Sequence, residues 1–117
     1  MNTNKNIIEI AKDSFENQGK SILSLGQYLT KDFEDTVNTI HSSSGRVIVS
    51  GIGKSAIIGM KIVATLNSTG TPAIFMHAAE AIHGDLGVVQ NNDTVILISK
   101  SGNTQEIKNL VPFLKER

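Results

Sequence analysis

The segment at residues 51–55, Gly-Ile-Gly-Lys-Ser, places two glycines, a lysine and a serine directly after a short apolar run. This order predicts a strand, a tight turn and a helix N-terminus, which is where α/β proteins hold phosphate groups. The glycines permit the sharp turn, and the Ser55 hydroxyl and the free N–H groups of the first helical turn can donate hydrogen bonds to an anion. Lys54 adds one mobile positive charge, so the segment is a candidate phosphate loop.

Two nucleotide-binding loops are alternatives for this segment. A Walker A loop needs a glycine five residues before its Gly-Lys pair, but Ile48 stands there, which argues against nucleotide hydrolysis. Gly51, Gly53 and Ala56 fit the looser dinucleotide pattern, but the next predicted strand does not end in the acidic ribose partner that this pattern expects. A sugar-phosphate loop is the favoured interpretation, and a plain strand-to-helix turn without a ligand stays open.

A second loop of the same kind lies at residues 99–104, Ser-Lys-Ser-Gly-Asn-Thr, after another apolar run. The hydroxyls of Ser99, Ser101 and Thr104 are spaced so that, with the N–H groups of the following helix, they can surround one phosphate. Both loops would leave parallel strands at the carboxyl edge of one sheet, where open α/β sheets bind ligands. The two loops are therefore expected to face one crevice, although an ordinary capped turn would have a similar sequence.

Titratable residues cluster in the connection between these loops. Glu80, His83 and Asp85 follow a predicted strand end, so they can reach the same crevice. Such residues are more often ordinary surface groups, but their number beside two anion loops favours a functional role, most of all for His83. Glu106 lies in the first turn of the last predicted helix, where it either complements the helix dipole or acts as a base beside the phosphate. The spacing of His77 and His83 is too sparse to indicate a metal site.

An alternation of helices and strands must position these residues. Apolar periodicity predicts one long amphipathic helix over residues 4–29 and a second helix capped by Thr30, with Phe33, Val37 and Ile40 facing inward. The remaining predicted elements are strands at residues 46–50, 73–77 and 94–99 and helices at residues 56–68 and 104–115. This order predicts a parallel sheet with right-handed crossovers.

The composition restricts the class of protein. At 117 residues the chain is one small domain, short for a complete doubly wound sheet. Its 11 basic and 11 acidic residues cancel, so neither nucleic acid nor an anionic membrane surface is expected as a partner. The lack of cysteine excludes a disulfide framework, and no apolar run approaches the length of a membrane span. We expect a soluble, cytoplasmic protein whose charged ligand is bound by local groups.

Four segments resemble the sugar isomerase (SIS) domain, and most closely that of the bacterial D-arabinose 5-phosphate isomerases. They lie at residues 51–55, 68–73, 80–87 and 98–107. The His-Gly-Asp-Leu-Gly run within the third segment is the most restrictive. The resemblance implies an α/β fold of the flavodoxin-like, three-layer αβα type with a parallel sheet, incomplete at its C-terminus. It also implies that residues 1–45 are N-terminal helices that pack on the domain and form an oligomer interface, and that residues 46–117 are the first part of the SIS domain.

The same resemblance assigns roles to individual residues. Lys54 and Glu106 match catalytically relevant positions, and His83 matches a substrate-binding histidine that also assists ring opening. His77 matches a position at the sugar site that is also a ligand for an inhibitory zinc ion. The other substrate-binding matches are Ser55, Gly70, Thr71, Ser99, Ser101 and Thr104. No resident metal, nucleotide or other cofactor is implied.

The activity that the resemblance implies is aldose–ketose isomerisation of D-arabinose 5-phosphate and D-ribulose 5-phosphate through a cis-enediol, a step in Kdo and lipopolysaccharide precursor synthesis. The implied assembly is a cytoplasmic homodimer or homotetramer. Two alternatives stay open: an isomerase of another phosphosugar, and a non-catalytic SIS domain that senses a sugar phosphate. A sheet that stops after three strands leaves an open edge, so these 117 residues alone are expected to show little isomerase activity.

Overall fold

The computed structural model describes residues 6–116, which fall into two compact units with the boundary between Val37 and Asn38. The first unit contains only helical elements, and the second contains the sheet. No helix in the described part of the chain is long and apolar enough to cross a bilayer.

Helix α1 spans Ile7–Ser24 and begins at Asn6, whose side chain accepts a hydrogen bond from the backbone N–H of Glu9 at 2.8 Å. A single 3₁₀ turn, Leu25–Tyr28, follows it. The prediction of one continuous helix is therefore wrong in its last turn. Gly26 weakens α-helical geometry there, and the chain tightens into the 3₁₀ form that often ends helices. The predicted start of this helix lies outside the described residues.

Helix α2 spans Lys31–Ser42 and is capped as predicted, since Thr30 Oγ1 accepts a hydrogen bond from the backbone N–H two residues later at 3.2 Å. The inward orientation predicted for its apolar residues is confirmed only for Ile40, which is half-buried and packs against the core of the sheet. Phe33 and Val37 are 55% and 48% exposed, so the prediction is wrong for them. Periodicity identifies the residues that share one face of a helix, but it does not state what covers that face. In the described part of the first unit, no helical residue is buried.

The second unit is built on three parallel strands, β1 (Val47–Gly51), β2 (Ala73–His77) and β3 (Thr94–Leu97), in the order β2-β1-β3. Every residue of β1 is buried, as expected for a central strand that is covered on both faces. The register places Gly51 beside His77. The carboxyl ends of the strands therefore lie at one edge of the sheet.

Three helices connect and cover the strands: α3 (Lys54–Ser68), α4 (Ala78–Ala81) and α5 (Gln105–Lys115). The predicted order of strands and helices is confirmed, and β2 has its predicted bounds. Relative to the predictions, β1 is shifted by one residue, β3 ends two residues early, α3 begins two residues early and α5 begins one residue late. Helix α4 is absent from the prediction, because four residues are too few to show helical periodicity.

The sheet is the middle of three layers. On one face, α3 and the end of α2 cover a cluster that contains Val47, Val49 and Ala73. On the other face, α4 and α5 cover a cluster that contains Ile48 and Leu110. Alternate residues of β1 thus face opposite layers, and the predicted three-layer αβα architecture is confirmed.

An ion pair fixes the amino-terminal edge of the sheet. Nη2 of Arg46, just before β1, lies 3.0 Å from Oδ2 of Asp93, just before β3, and the Asp93 side chain is 2% exposed. The Asp93 carboxylate also accepts the backbone N–H groups of Arg46 and Gln90 at 2.9 and 2.8 Å. Burial alone would raise the pKa of Asp93, but these hydrogen bonds and the positive charge of Arg46 hold it below its usual value. The starts of β1 and β3 are thereby held together.

Candidate functional site

Three chain segments meet the carboxyl edge of the sheet. The loop after β1 leads into α3, the end of β2 leads into α4, and the loop after β3 leads into α5. Open parallel sheets bind their ligands at this edge. Because β1 lies between β2 and β3, the loop after β1 is central.

Two glycines shape the loop after β1. A Cβ added to Gly51 would lie 3.1 Å from the backbone of Ser55, so the turn brings the start of α3 directly against the end of the strand. Gly53 has a φ of +61°, a conformation that favours glycine. No described side chain caps the first turn of α3, and the N–H of Ala56 donates to the Gly53 carbonyl at 3.1 Å, so the N–H groups of Lys54 and Ser55 are the ones available to a ligand. Lys54 at this N-terminus is exposed and joins none of the ion pairs among the described residues.

Hydrogen bonds within the loop after β3 tie its hydroxyls to each other and to its backbone. Ser99 Oγ lies 2.7 Å from Thr104 Oγ1 and accepts the N–H of Gly102 at 3.0 Å. Ser101 Oγ accepts the N–H of Asn103, also at 3.0 Å. The predicted hydroxyl cluster is therefore present, and its members are tied to each other and to the loop backbone.

These hydrogen bonds leave two hydroxyl protons for an anion. A serine that accepts a backbone N–H keeps its own O–H proton, so Ser101 can still donate. The contact between Ser99 and Thr104 uses one of their two protons and leaves the other. The loop can therefore donate two hydroxyl hydrogen bonds in addition to the N–H groups at the start of α5.

Glu106 lies in the first turn of α5, directly after this loop. The buried residues Ile107 and Leu110 anchor the helix to the sheet. Glu106 precedes Leu110 by four residues and thus lies one turn above it on nearly the same face. Its side chain is half-buried and forms no hydrogen bond or ion pair with the other described residues. A carboxylate in this position is free to act on a ligand held by the loop.

His77 ends β2 and serves as the N-cap of α4. Its Nδ1 accepts the backbone N–H of Ala79 at 3.2 Å. Its ring meets that of Phe75 edge to face, with the centroids 6.1 Å apart. Since His77 is in register with Gly51, it lies beside the loop after β1.

Helix α3 and strand β2 place Ser55 and His77 at a similar height along the strand direction, near the carboxyl edge of the sheet. A Cβ added to Gly59 would lie 3.0 Å from the Phe75 ring, so α3 crosses β2 closely at that point. Ser55 precedes Gly59 by four residues, about 6 Å along the helix, and His77 follows Phe75 by two residues, about 6.6 Å along the strand. Helix α3 runs antiparallel to β2. The step back along α3 from Gly59 to Ser55 and the step forward along β2 from Phe75 to His77 therefore both lead to the carboxyl edge.

The connection after β2 keeps its titratable residues at the surface. It consists of α4 and a 3₁₀ turn, Asp85–Val88, and buried alanines of α4 anchor it to the core. Glu80, His83 and Asp85 are exposed, and their side chains form no hydrogen bond or ion pair within the described chain. The structure therefore places His83 near the end of β2 but does not join it to either loop.

Two predicted substrate-binding residues lie away from the carboxyl edge. Gly70 and Thr71 follow α3 and precede β2, so they lie at the amino-terminal edge of the sheet. The five residues of β2, about 16 Å long, separate them from His77. Within one chain the structure does not bring these two residues together with the loops.

No group of three His, Cys, Asp or Glu side chains in residues 6–116 is placed to hold a metal ion. A zinc-bound histidine normally donates a hydrogen bond through its other ring nitrogen. In His77 that nitrogen is an acceptor facing the N–H of Ala79, so zinc binding at Nε2 would break the cap of α4.

Sequence reasoning missed two features of this edge. One is the N-cap role of His77, for which a signal exists, because Glu80 follows three residues later at the spacing of a capping box. The other is the direct contact between the hydroxyls of Ser99 and Thr104, which no spacing rule indicates.

Comparison with known proteins gives consistent matches. A family model described as the SIS domain matches residues 40–117. Arabinose 5-phosphate isomerase KdsD of Yersinia pestis is 45% identical over 111 residues, which cover 88% of this chain and 34% of that protein. Arabinose 5-phosphate isomerase GutQ of Escherichia coli K12 is 50% identical over 93 residues, which cover 80% of this chain and 29% of that protein.

Comparison with solved structures gives a match that agrees with these relatives. A solved structure of an Escherichia coli CFT073 protein in complex with arabinose 5-phosphate superposes with a TM-score of 0.88 and 42% identity, covering 99% of this chain and 61% of that one. The chain spans about a third of the length of the curated relatives that it matches.

Proposed function

The chain belongs to the SIS domain family, and from this premise we propose that it forms the phosphosugar-binding part of an isomerase that interconverts D-arabinose 5-phosphate and D-ribulose 5-phosphate. The observation that carries the proposal is the meeting of two donor loops at one sheet edge, beside an unpaired lysine and an unpaired carboxylate among the described residues. The names of the relatives and the arabinose 5-phosphate complex of the structural neighbour support the choice of sugar.

The phosphate binds between the loops and anchors the sugar. Its donors are the N–H groups that begin α3 and α5, the hydroxyls of Ser55 and Ser101, and the one hydroxyl proton that the contact between Ser99 and Thr104 leaves free. Lys54 lies beside the same crevice as a mobile cation. Holding one end of the sugar in this way limits the positions that its carbon atoms can take relative to the base.

The isomerisation itself is a proton transfer within the sugar. The Glu106 carboxylate removes the proton from C2 of the aldose while O1 gains a proton, which gives a cis-enediol. The protonated Glu106 then returns its proton to C1 as O2 loses its proton and becomes the carbonyl oxygen. The electron pair stays in the sugar, so C2 is oxidised and C1 is reduced without an external reagent. Lys54 stabilises negative charge on the sugar oxygens, and His83 contacts the sugar and assists ring opening. Positioned acid–base groups of this kind contribute on the order of 10²–10⁴-fold each.

The complete enzyme is proposed to be a homodimer or homotetramer in the cytoplasm that supplies a lipopolysaccharide precursor. The helices within residues 1–45 form the subunit interface in this proposal, because Phe15 and Leu23 on α1 are 77% and 82% exposed. Gly70 and Thr71 lie at the opposite edge of their own sheet, so their proposed contact with substrate would come from another subunit.

An isomerase assay on the full-length protein tests the function. Ribulose 5-phosphate should form from D-arabinose 5-phosphate, and Glu106→Gln should lower kcat by on the order of 10²–10⁴-fold with a small change in KM. Glu80→Gln is the matched control, since Glu80 is an exposed carboxylate of the neighbouring connection. Faster turnover of another phosphosugar would change the assigned substrate, and binding without turnover would indicate a sugar-phosphate sensor.

A further inference from the structure

We propose that Ile52 is a positioning residue: it links the loop after β1 to the connection that carries His83, so that a phosphate bound by the loop also holds this connection in place. Ile52 contacts no ligand in this proposal and acts through the backbone of its loop. The inference rests on the proposed function, because it takes a phosphate group as the ligand of the loop.

Ile52 stands between the two glycines of the loop after β1 and anchors this loop to the core. Its side chain is half-buried and packs against the cluster between the sheet and helices α4 and α5 (the α4/α5 cluster). Gly51 and Gly53 on either side offer no side chain for such a contact. The N–H groups of Lys54 and Ser55 follow within three residues, so their position depends on how Ile52 is packed.

The α4/α5 cluster also receives apolar residues from the two other segments of the carboxyl edge. Ala78 and Ala81 of α4 are fully buried in it, and Leu86 of the following 3₁₀ turn packs against it. Helix α5 contributes Ile107, the residue directly after Glu106. One apolar cluster therefore joins the loop after β1, the connection after β2 and the helix after β3.

The apolar anchors lie close along the chain to proposed functional side chains. Ile52 precedes Lys54 by two residues, and Ala81 precedes His83 by two. The His83 side chain is exposed and makes no hydrogen bond or ion pair within the described chain. Its position is therefore set by the apolar packing of the connection, which includes the α4/α5 cluster.

A buried hydroxyl beneath Ile52 lowers the cost of opening this packing. Ile48 and Ile52 both pack in the α4/α5 cluster, and Ser50 between them faces the same side, because alternate residues of a strand do so. Ser50 Oγ is fully buried and has no hydrogen-bond partner in the described chain. Water that enters when Ile52 lifts would solvate this hydroxyl. A phosphate that fixes the loop then shifts the population toward the packed state.

Amide hydrogen exchange on the full-length protein, with and without inorganic phosphate, measures this link. The backbone N–H groups of His83, Gly84 and Gly87 donate to carbonyls within the connection, so they report how well it is packed. Phosphate at high occupancy should slow their exchange at least about threefold in the wild-type protein, although the phosphate binds at the loops. In Ile52→Ala, at matched phosphate occupancy, the change should be less than about 1.5-fold.

Three further variants separate a positioning role from a general loss of stability. Ile52→Val keeps a branched apolar side chain and should retain most of the phosphate effect. Val95→Ala removes an apolar contact from the same cluster but lies within β3, so it should retain the effect as well. Ser50→Ala removes the unpaired hydroxyl and should slow the exchange of these N–H groups before phosphate is added. Thermal unfolding of each variant checks that the domain is folded.

The outcomes separate this inference from the proposed function. An absent phosphate effect in wild type, an undiminished effect in Ile52→Ala, an equal loss in Val95→Ala, or unchanged exchange in Ser50→Ala without phosphate would each overturn it. A wild-type protein that shows the phosphate effect but does not isomerise D-arabinose 5-phosphate contradicts the proposed function alone. A wild-type protein that does not bind phosphate overturns both.

Discussion

At the scale of single residues, the hydroxyls after β3 combine a structural task with a proposed binding task. Ser99 and Ser101 each accept a backbone N–H, so the loop's own contacts hold these two hydroxyls in place. An anion then meets donors that are already oriented, so binding loses less conformational entropy. Such preorganisation suits a phosphate anchor, because the anchor must stay fixed while the carbon atoms react.

Replacing the loop hydroxyls should weaken phosphate binding without unfolding the domain. The double variant Ser101→Ala/Thr104→Ala removes two hydroxyls, and a hydrogen bond to a charged group contributes about 1.5–3 kcal/mol. We therefore expect the affinity for D-arabinose 5-phosphate to fall at least about tenfold in calorimetry. Ser68→Ala is the control, since the exposed Ser68 hydroxyl bonds only to its own helix at the opposite edge. Equal affinity of wild type and double variant would contradict the phosphate-loop assignment.

Residue types predicted the loops, but they did not predict the geometry of the site. Two glycines before a lysine and a serine indicate an anion loop because few other tasks need that combination. Gly70 and Thr71 match the family equally well in sequence, yet topology places them at the other edge of the sheet. A linear sequence records residue identity, whereas the edge that a residue occupies depends on where each strand begins and ends.

At the scale of elements, predictions succeed where local signals and tertiary packing agree. β2 has its predicted bounds because Pro72 stops α3 from continuing and His77 caps the next helix. Phe33 and Val37 on α2 follow the amphipathic period, but they are exposed because periodicity does not state what covers a face. The Arg46–Asp93 pair joins residues 47 apart, a separation that no local pattern reports.

The buried Asp93 carboxylate should make stability depend on pH. Its folded pKa is lowered, so its contribution is present above the ordinary aspartate pKa and is lost as the pH falls through the folded value. Asp93→Asn should reduce the free energy of unfolding at neutral pH by about 2 kcal/mol, because it weakens charged hydrogen bonds. The variant should also lose less stability than wild type when the pH is lowered from about 5 to about 3.

Urea unfolding at both pH values measures this effect. Asp85→Asn is the control, since Asp85 is exposed and forms no hydrogen bond with another described side chain. A parallel decline of wild type and Asp93→Asn with falling pH would show that the carboxylate does not stabilise the sheet edge.

At the scale of the whole molecule, two exposed surfaces of the described chain favour association with other chains. The first is the apolar face of the helical unit, where residues such as Phe15 and Leu23 are exposed. The second is the free side of β3, where a groove of about 300 Å³ runs between the strand and α5, lined by Asp93, Val95, Leu97, Val111, Leu114 and Lys115. Large exposed apolar surfaces and open strand edges both promote association.

The helical surface should hold the proposed oligomer together. In the full-length protein, Phe15→Ser/Leu23→Ser should lower the molar mass seen by light scattering toward that of a monomer, because the burial of two large apolar side chains is lost. Lys12→Ser is the control on the same helix. A wild-type protein that is already a folded monomer at high concentration would rule out this interface.

The open edge of β3 should limit what the 117 residues do alone. We expect this chain to show little isomerase activity and to aggregate through residues 94–99, because the outer side of β3 exposes unpaired backbone groups. A coupled assay and a solubility measurement on this chain and on the full-length protein test the expectation. Equal turnover and equal solubility would contradict it.

Gly59 lies on α3, outside both loops, and is nevertheless linked to the carboxyl edge of the sheet. A Cβ at this position would lie 3.0 Å from the Phe75 ring, and that ring contacts His77 edge to face. Any larger residue would therefore press on the Phe75 ring and, through it, on His77 at the end of β2. A substitution at Gly59, behind the carboxyl edge, can thus disturb a side chain at that edge without being part of either loop.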